Sequence, residues 1–183
     1  MKRRVALLVL AGAVALVVGT GVAFAKTIHC QGGMTTLCVG TDKADKLFGT
    51  AGADGMNARQ GDDVLRGYEG PDIMIGDTTS AQDDTTDGND QLYGNVGDDW
   101  LLGYGGSDLL RGGGGADEIN ASETSSANEG EDTVLGGYGA DSISAWDGVP
   151  DTIDCGANNR DVVVYDAALD EISNCEFLEP RPQ

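Results

Sequence analysis

Aspartate and glycine recur together at a nine-residue interval through most of this chain. Within residues 103–120, Gly106-x-Asp108 returns as Gly115-x-Asp117, each followed two residues later by an aliphatic side chain. Aspartate offers the hard carboxylate oxygen that ions such as Ca²⁺ prefer. Glycine permits left-handed turns and a close approach of the backbone. The spacing therefore indicates an oxygen-ligand site that is repeated along the chain.

The repeat can be written as nine slots counted from Gly40, with units that begin at residues 40, 49, 58, 67, 94, 103, 112 and 136. Slot four is glycine except for Lys43, and slot six is aspartate at Asp45, Asp54, Asp63, Asp72, Asp90, Asp99, Asp108, Asp117, Asp132 and Asp141. Slot eight is aliphatic at Leu47, Met56, Leu65, Met74, Leu92, Leu101, Leu110, Ile119, Val134 and Ile143. A fixed period of this length predicts a solenoid whose units bury their apolar residues by stacking.

Stacked turns would bring the slot-six carboxylates of successive coils within about 5 Å of one another, the spacing of strands in a sheet. Like charges at that distance repel unless a cation lies between them. Hard oxygen ligands in flexible turns, without clusters of histidine or thiolate, favour Ca²⁺ over Zn²⁺ and Mg²⁺. The alternative is a metal-free β-helix, but one aliphatic residue per unit is a thin core for so many glycines.

The units match the pattern G-G-x-G-x-D-x-aliphatic-x and resemble RTX-type (hemolysin-like) calcium-binding nonapeptide repeats over residues 40–151. The resemblance implies an all-β fold, a right-handed parallel β-roll in which six residues form a turn and three form a strand. It also implies several Ca²⁺ ions, held by the ten slot-six aspartates and by backbone carbonyls. The glycines implied at these sites are Gly49, Gly52, Gly61, Gly67, Gly70, Gly94, Gly97, Gly103, Gly106, Gly112, Gly115, Gly136 and Gly139.

The composition agrees with an acidic solenoid. The 183 residues include 29 glycines and 31 acidic against 11 basic side chains, with only 5% aromatic residues. Such a surface repels phosphate and has no basic stripe that could release counterions, so nucleic acid is not expected as a partner.

Residues 1–25 predict a secretory signal peptide. A basic MKRR segment precedes an apolar stretch, and Ala23-Phe24-Ala25 offers a small-x-small cleavage site before Lys26. The alternative is an uncleaved membrane anchor, because the apolar stretch is nearly long enough to span a bilayer. With cleavage we expect a secreted, extracellular protein without membrane insertion.

Four cysteines remain in the exported chain, which favours disulfides over free buried thiols. Of the three possible pairings, the local ones, Cys30 with Cys38 and Cys155 with Cys175, would each close one end of the solenoid. The expected organisation is an N-terminal cap at 26–39, calcium-binding repeats at 40–154 and a C-terminal cap at 155–183. Residues 162–164 suggest a last strand, and residues 180–182 a frayed terminus. The single histidine, His29, is expected at the surface.

Two longer units interrupt the repeat at residues 77–87 and 122–129. Neither excursion contains an aliphatic residue to bury, so both are interpreted as loops that rejoin the repeat at Gly88 and Gly130. Three regular units lie between them, which predicts loops on the same edge, two coils apart. They could form one acidic, hydroxyl-rich face, but tolerated surface insertions are the simpler interpretation.

No nucleophile elbow, zinc-protease motif or phosphate-binding loop is present, and one histidine leaves little material for a catalytic triad. We therefore expect a non-enzymatic, monomeric, exported calcium-binding module, with a cell-surface or extracellular polymer as a candidate partner. The alternatives are a secreted polysaccharide hydrolase, and an adhesive or ice-binding solenoid. The latter needs a regular row of threonines, and Thr41 and Thr50 are followed by Arg59 in that slot.

Overall fold

The structure is a computed structural model that describes residues 25–77, 87–122, 130–157 and 160–181. The described residues form sixteen strands: β1 (Thr27–His29), β2 (Cys38–Val39), β3 (Lys46–Phe48), β4 (Gly55–Arg59), β5 (Val64–Glu69), β6 (Ile73–Asp77), β7 (Gln91–Val96), β8 (Trp100–Leu102), β9 (Leu109–Gly114), β10 (Glu118–Asn120), β11 (Thr133–Tyr138), β12 (Ser142–Ala145), β13 (Thr152–Gly156), β14 (Val162–Asp166), β15 (Glu171–Ser173) and β16 (Phe177–Arg181). Nowhere in these ranges is there a helix with the length and hydropathy of a membrane span. Almost all of the predicted signal peptide and most of both excursions lie outside the described residues.

The strands alternate between two parallel sheets as the chain winds. The odd sheet contains the eight odd-numbered strands in order from β1 to β15, and the even sheet contains the even-numbered strands in order from β2 to β16. Each strand pairs in parallel with the strand one full coil away, as in β5 with β7. This two-sheet parallel solenoid confirms the predicted all-β β-roll.

The core between the sheets is a stack of slot-eight side chains. Leu65 pairs with Leu92 in the odd sheet and Met74 with Leu101 in the even sheet, and every predicted slot-eight residue is at most 1% exposed. Because side chains alternate across a strand, a three-residue strand places its middle residue inward and its outer two outward. The repeat period thus becomes a continuous apolar column.

Two edges connect the sheets. We call edge I the row of turns that run from an odd strand to the next even strand, and edge II the row that runs from an even strand back to an odd one. Both excursions leave the roll on edge II, between β6 and β7 and between β10 and β11. The regular turn between β8 and β9 separates them, so the prediction of two loops on one edge is confirmed for their anchor points.

Disulfides close both ends, as predicted. Cys30 bonds to Cys38 with a Cα–Cα distance of 5.5 Å, and Cys155 bonds to Cys175 with a Cα–Cα distance of 5.1 Å. These bonds tie β1 to β2 and β13 to the segment before β16. His29 is exposed and stacks on Phe48 with ring centroids 5.3 Å apart, in keeping with the expected surface position.

The C-terminal segment forms more strands than predicted. Residues 162–164 lie in β14, but β15 and β16 follow it, so the prediction of a last strand there was wrong. The expectation of a frayed end at residues 180–182 was also wrong for Pro180 and Arg181, which align with Tyr165 and Asp166 of β14. Proline is tolerated because β16 is the edge strand of its sheet. Both sheets thus continue past residue 154.

Candidate metal centre

The slot-six aspartates form two buried columns, one along each edge. Every predicted member is at most 3% exposed. The edge I column contains Asp54, Asp72, Asp99, Asp117 and Asp141, and the edge II column contains Asp45, Asp63, Asp90, Asp108 and Asp132. Each aspartate ends a turn just before a strand, so parallel stacking of the strands stacks the carboxylates as well.

One oxygen of each carboxylate bonds within the protein. On edge I, Asp72 Oδ1 accepts the backbone N–H of Asp54 at 2.8 Å, and Asp99 Oδ1 accepts that of Asp72 at 2.8 Å. On edge II, Asp90 Oδ1 accepts the N–H of Asp63 at 2.8 Å. The same bond joins the later pairs of both columns. The aspartates therefore connect successive coils, a role that the sequence did not predict.

The second carboxylate oxygen is buried without a hydrogen-bond donor in most of these turns. Within the described residues this holds for Oδ2 of Asp63, Asp72, Asp90, Asp99, Asp108, Asp117, Asp141 and Asp151. Burial of a carboxylate oxygen without a partner costs free energy, because the oxygen loses its hydration and gains no hydrogen bond or ion contact. A series of such oxygens in two columns is the arrangement expected of cation ligands.

Glycine in slot one leaves the space that these oxygens face. A Cβ added to Gly112 would overlap Asp117 Oδ2 and would lie 2.8 Å from the carbonyl oxygen of Gly136 in the next coil. A Cβ added to Gly94 would likewise overlap Asp99 Oδ2. Carboxylate and carbonyl oxygens therefore converge on a gap that any other residue would fill, and hard oxygens of this kind suit Ca²⁺.

Slot two has a left-handed backbone in most of the turns whose Oδ2 has no hydrogen-bond donor. The φ angles of Arg59, Tyr68, Asn95 and Tyr104 are 87°, 82°, 78° and 67°. Non-glycine residues rarely adopt this region, and such strain persists where the surroundings enforce it, often at ligand sites.

Comparison with protein-family models identifies the repeat. The model of the RTX calcium-binding nonapeptide repeat matches residues 39–74, 84–119 and 122–149, just over half of the chain. The chain belongs to the RTX calcium-binding repeat family. Neither the search of curated proteins nor the search of solved structures gave a match.

The first two RTX units have a different kind of turn. The backbone N–H and the hydroxyl of Thr41 donate to Asp45 Oδ2 at 2.6 and 2.8 Å, and those of Thr50 donate to Asp54 Oδ2 at 2.6 and 2.9 Å. We call these the threonine-closed turns. Asp45 and Asp54 were predicted as ligands like the other eight, but their Oδ2 atoms already accept two hydrogen bonds.

The slot-four glycines allow consecutive RTX turns to stack closely. At Gly115, φ is 141° and a Cβ would overlap the carbonyl of Gly97, and at Gly139 it would overlap the carbonyl of Gly115. Glycine is needed here because both the left-handed backbone and the backbone contact exclude a side chain. Gly52 is different, because a Cβ there would meet nothing within 4 Å.

Burial raises the pKa of several aspartates in each column. It raises the pKa of Asp63 and of Asp151 from an ordinary 3.8 to about 8, and that of Asp72 and of Asp117 to about 7. Burial, with the neighbouring carboxylates of Asp90 and Asp132, also raises the pKa of Asp108 well above its ordinary value. A bound cation favours the ionised form, so ion binding and proton release are coupled.

Both RTX columns continue beyond the last predicted ligand. On edge II, Asp151 Oδ1 accepts the N–H of Asp132 at 2.8 Å, and Asp170 Oδ1 accepts that of Asp151 at 3.0 Å. On edge I, Asp161 Oδ1 accepts the N–H of Asp141 at 2.9 Å. The sequence signal for these later members is an aspartate followed two residues later by an aliphatic residue, as in Asp151-x-Ile153. It was not recognised because the glycine spacing is lost in this part of the chain.

Sequence reasoning also missed two fully buried aspartates outside slot six. Asp77 Oδ2 accepts the N–H of Gly88 at 2.8 Å, and burial, with nearby Asp90, raises the pKa of Asp77 to about 9. Asp166 Oδ2 accepts the N–H of Gly148 at 2.8 Å. Both belong to edge II, and both occupy the position that is slot two in a regular unit. The Oδ1 atoms of both have no hydrogen-bond donor among the described residues.

A third acid outside slot six joins a cluster on edge II. Carboxylate oxygens of Asp132, Asp147 and Asp151 all lie within 4.8 Å of one another. Asp132 and Asp151 belong to the column, whereas Asp147 comes from the irregular turn between β12 and β13. Three carboxylates at this separation can hold a divalent cation.

Proposed function

We propose that this RTX protein is exported, that its β-roll forms on binding several Ca²⁺ ions, and that it acts outside the cell as a structural or binding module without catalysis. The observation that carries the proposal is the repeated buried Oδ2 atom, which has no donor in eight turns among the described residues. These oxygens lie beside the slot-one glycines, where backbone carbonyls of the next coil also converge.

The proposed ligands are the eight slot-six aspartates outside the threonine-closed turns, together with the column member Asp151 and backbone carbonyls at the slot-one glycines. When bound, Ca²⁺ would supply the positive charge that offsets the mutual repulsion of the column. The protein itself supplies alignment, because each Oδ1 is already held by the N–H of the neighbouring coil. Asp147 adds a third carboxylate next to Asp132 and Asp151.

Export is supported by the leader-like residues 1–25 and by the two disulfides, which are typical of proteins in oxidising compartments. Removal of that leader takes three basic residues and no acid, so the formal net charge changes from −20 to about −23. Such a charge opposes compaction until cations bind. Folding would therefore be delayed until the chain meets extracellular calcium.

The test is a calcium titration of the chain from Lys26 onward, followed by far-UV circular dichroism and by calorimetry. We expect little regular structure in chelator, a cooperative gain of β-structure on adding Ca²⁺, and a midpoint on the order of 10⁻⁴ to 10⁻³ M, as in extracellular calcium modules. A folded spectrum in excess chelator at neutral pH would contradict the proposal. Mass determination of the secreted protein tests cleavage before Lys26.

A further inference from the structure

The outer surface of the first six strands of the odd sheet carries basic side chains, which the corresponding positions of the even sheet lack. The first and third residues of β1, β3, β5, β7, β9 and β11 point outward, and none of these positions carries an acid. Acids return at these positions on the last two odd strands, with Asp154 on β13 and Glu171 on β15, and most even strands also lack them, so the bases are what distinguish this surface. We call this surface the basic–aromatic face, because its charged residues are Lys46, Arg66 and Arg111.

One column of this face alternates rings and cations from Phe48 to Arg111. His29, Phe48, Arg66, Tyr93, Arg111 and Leu135 align on six neighbouring strands. The Arg66 guanidinium lies 5.2 Å from the centroid of the Tyr93 ring, a cation–π distance. Arg66 and Arg111 are two strands apart, about 9 to 10 Å at the usual strand spacing, with the tyrosine between them.

The two guanidinium groups are available to a ligand. Among the described residues the salt bridge is that of Arg59 with Asp42, at 3.1 Å, and neither Arg66 nor Arg111 forms one. Both arginines are exposed. Their charges are therefore not neutralised by ion pairs within the described residues, and the nearest acid of the column that contains them is Asp154, which aligns with Leu135.

A shallow cleft adjoins Arg111. It has a volume of about 250 Å³, and Tyr93, Arg111 and Tyr138 form its sides. Its floor is backbone, because Gly113 and Gly137 face it without side chains. Tyr138 is 70% exposed, so a large ring surface remains free. Ring faces beside a flat backbone floor suit the flat, C–H-rich face of a sugar ring, and a guanidinium suits a carboxylate.

We propose that the basic–aromatic face binds a carboxylate-bearing polysaccharide that lies across the strands, with uronate groups at Arg66 and Arg111 and a sugar ring at Tyr93. The inference rests on the proposed extracellular function and names the class of its partner. In a glycan with one carboxylate for every two sugar rings, successive carboxylates are separated by one uncharged sugar ring. This order matches Arg66 and Arg111, which are separated by the ring of Tyr93. Nucleic acid, with one charge per about 1.7 Å of duplex, suffers much greater repulsion from the acidic edges.

The test is calorimetric titration of the calcium-loaded protein with hyaluronan oligosaccharides, with neutral dextran and single-stranded oligothymidylate as comparison ligands. We expect hyaluronan to bind and dextran not to bind. The double variant Arg66→Ala/Arg111→Ala should bind hyaluronan at least tenfold more weakly. Arg160→Ala removes one exposed positive charge outside this face and should change the affinity less than twofold.

Circular dichroism in calcium establishes that each variant is folded, and Arg111→Gln alone decides the comparison if the double variant is not. No binding of hyaluronan by the calcium-loaded protein would overturn the inference. So would equal affinity in the arginine variants, or tighter binding of oligothymidylate. If the protein folds on binding calcium but does not bind hyaluronan, this inference alone is refuted. If calcium does not induce folding, the proposed function is refuted.

Discussion

Edge I and edge II carry matching columns of aspartates, yet both long excursions leave the roll on edge II. Asp63 and Asp90 flank the first excursion on edge II, and their N–H to Oδ1 distance is 2.8 Å. Asp72 and Asp99 in the corresponding coils on edge I have the same distance. The hydrogen bonds between aspartates of a column and the packing of the slot-eight core thus hold the coils together. The number of residues between two aspartates of a column has little effect on this stacking.

The two edges also differ in how many carboxylates they concentrate. Edge II adds to its column the fully buried Asp77 and Asp166, and Asp147 in the cluster with Asp132 and Asp151. Burial raises the pKa of Asp72 on edge I and of Asp90 on edge II to about 7, and that of the additional Asp77 on edge II to about 9. Edge II therefore carries the greater electrostatic cost without cations, and we expect its folding to depend more strongly on calcium.

The largest expected effect is that of pH on the calcium-free protein. Burial raises the pKa of Asp72 and Asp117 on edge I to about 7, and that of Asp63 and Asp77 on edge II to about 8 and 9, from 3.8. The stabilisation by protonation is therefore complete below about 3.8 and is lost as the pH rises through 7 to 9. In chelator, circular dichroism should show more β-structure at pH 4 than at pH 8.

Sedimentation must accompany that experiment, because the sequence isoelectric point of about 4.1 favours association at acid pH. A soluble protein that is unfolded at pH 4 and folded at pH 8, both without calcium, would contradict the raised pKa values on both edges.

The second prediction tests the edge II column against its excursion. Asp108→Ala removes the acceptor for the N–H of Asp90 and one free Oδ2, and should cost on the order of 1 to 3 kcal/mol in calcium-induced folding. Asp83→Ala removes the same charge in the first excursion, so relief of repulsion alone would favour folding of both variants. Calcium titrations measure the midpoints, and equal midpoints would mean that column position is irrelevant.

The third prediction tests the slot-one gap on edge I. In Gly112→Ala the new Cβ would overlap Asp117 Oδ2, so we expect a loss of roughly 1 to 3 kcal/mol and a higher calcium midpoint. Gly114→Ala is the matched control, because its nearest non-neighbouring atoms lie 3.9 and 4.0 Å away. Calorimetry should show fewer bound ions for Gly112→Ala alone. The same loss in both variants would point to glycine flexibility instead.

The smallest expected effect concerns the threonine-closed turns. Thr50→Val removes the hydroxyl donor to Asp54 Oδ2 and should lower the free energy of unfolding in calcium by about 0.5 to 1.5 kcal/mol. Because this turn is closed by hydrogen bonds, the number of bound ions should not fall. Thr152→Val, on the outer surface of β13, is the control. A loss of bound calcium in Thr50→Val would show that the turn is a metal site after all.

The sequence alone predicted the β-roll, the slot-eight core and the stacking of slot-six aspartates from successive coils. Each of these follows from a fixed period, because stacking repeats a position in the unit as a column in the fold. The two disulfides could also be predicted, because Cys30 is close in sequence to Cys38 and Cys155 is close to Cys175. The later strands β15 and β16 were missed because their segments lack the glycine and aspartate spacing.

The tertiary structure decided which carboxylate oxygens of the described residues have no hydrogen-bond donor. Only the stacked coils show that Oδ1 of Asp108 bonds to the next coil while Oδ2 does not, and that Thr50 closes the turn of Asp54. The column that contains Arg66 and Arg111 likewise depends on pairing between strands of different coils. The physical reason is that the number of residues in one coil changes wherever an excursion is inserted. A sequence period identifies the repeated positions, whereas the register of the folded coils decides which side chains meet.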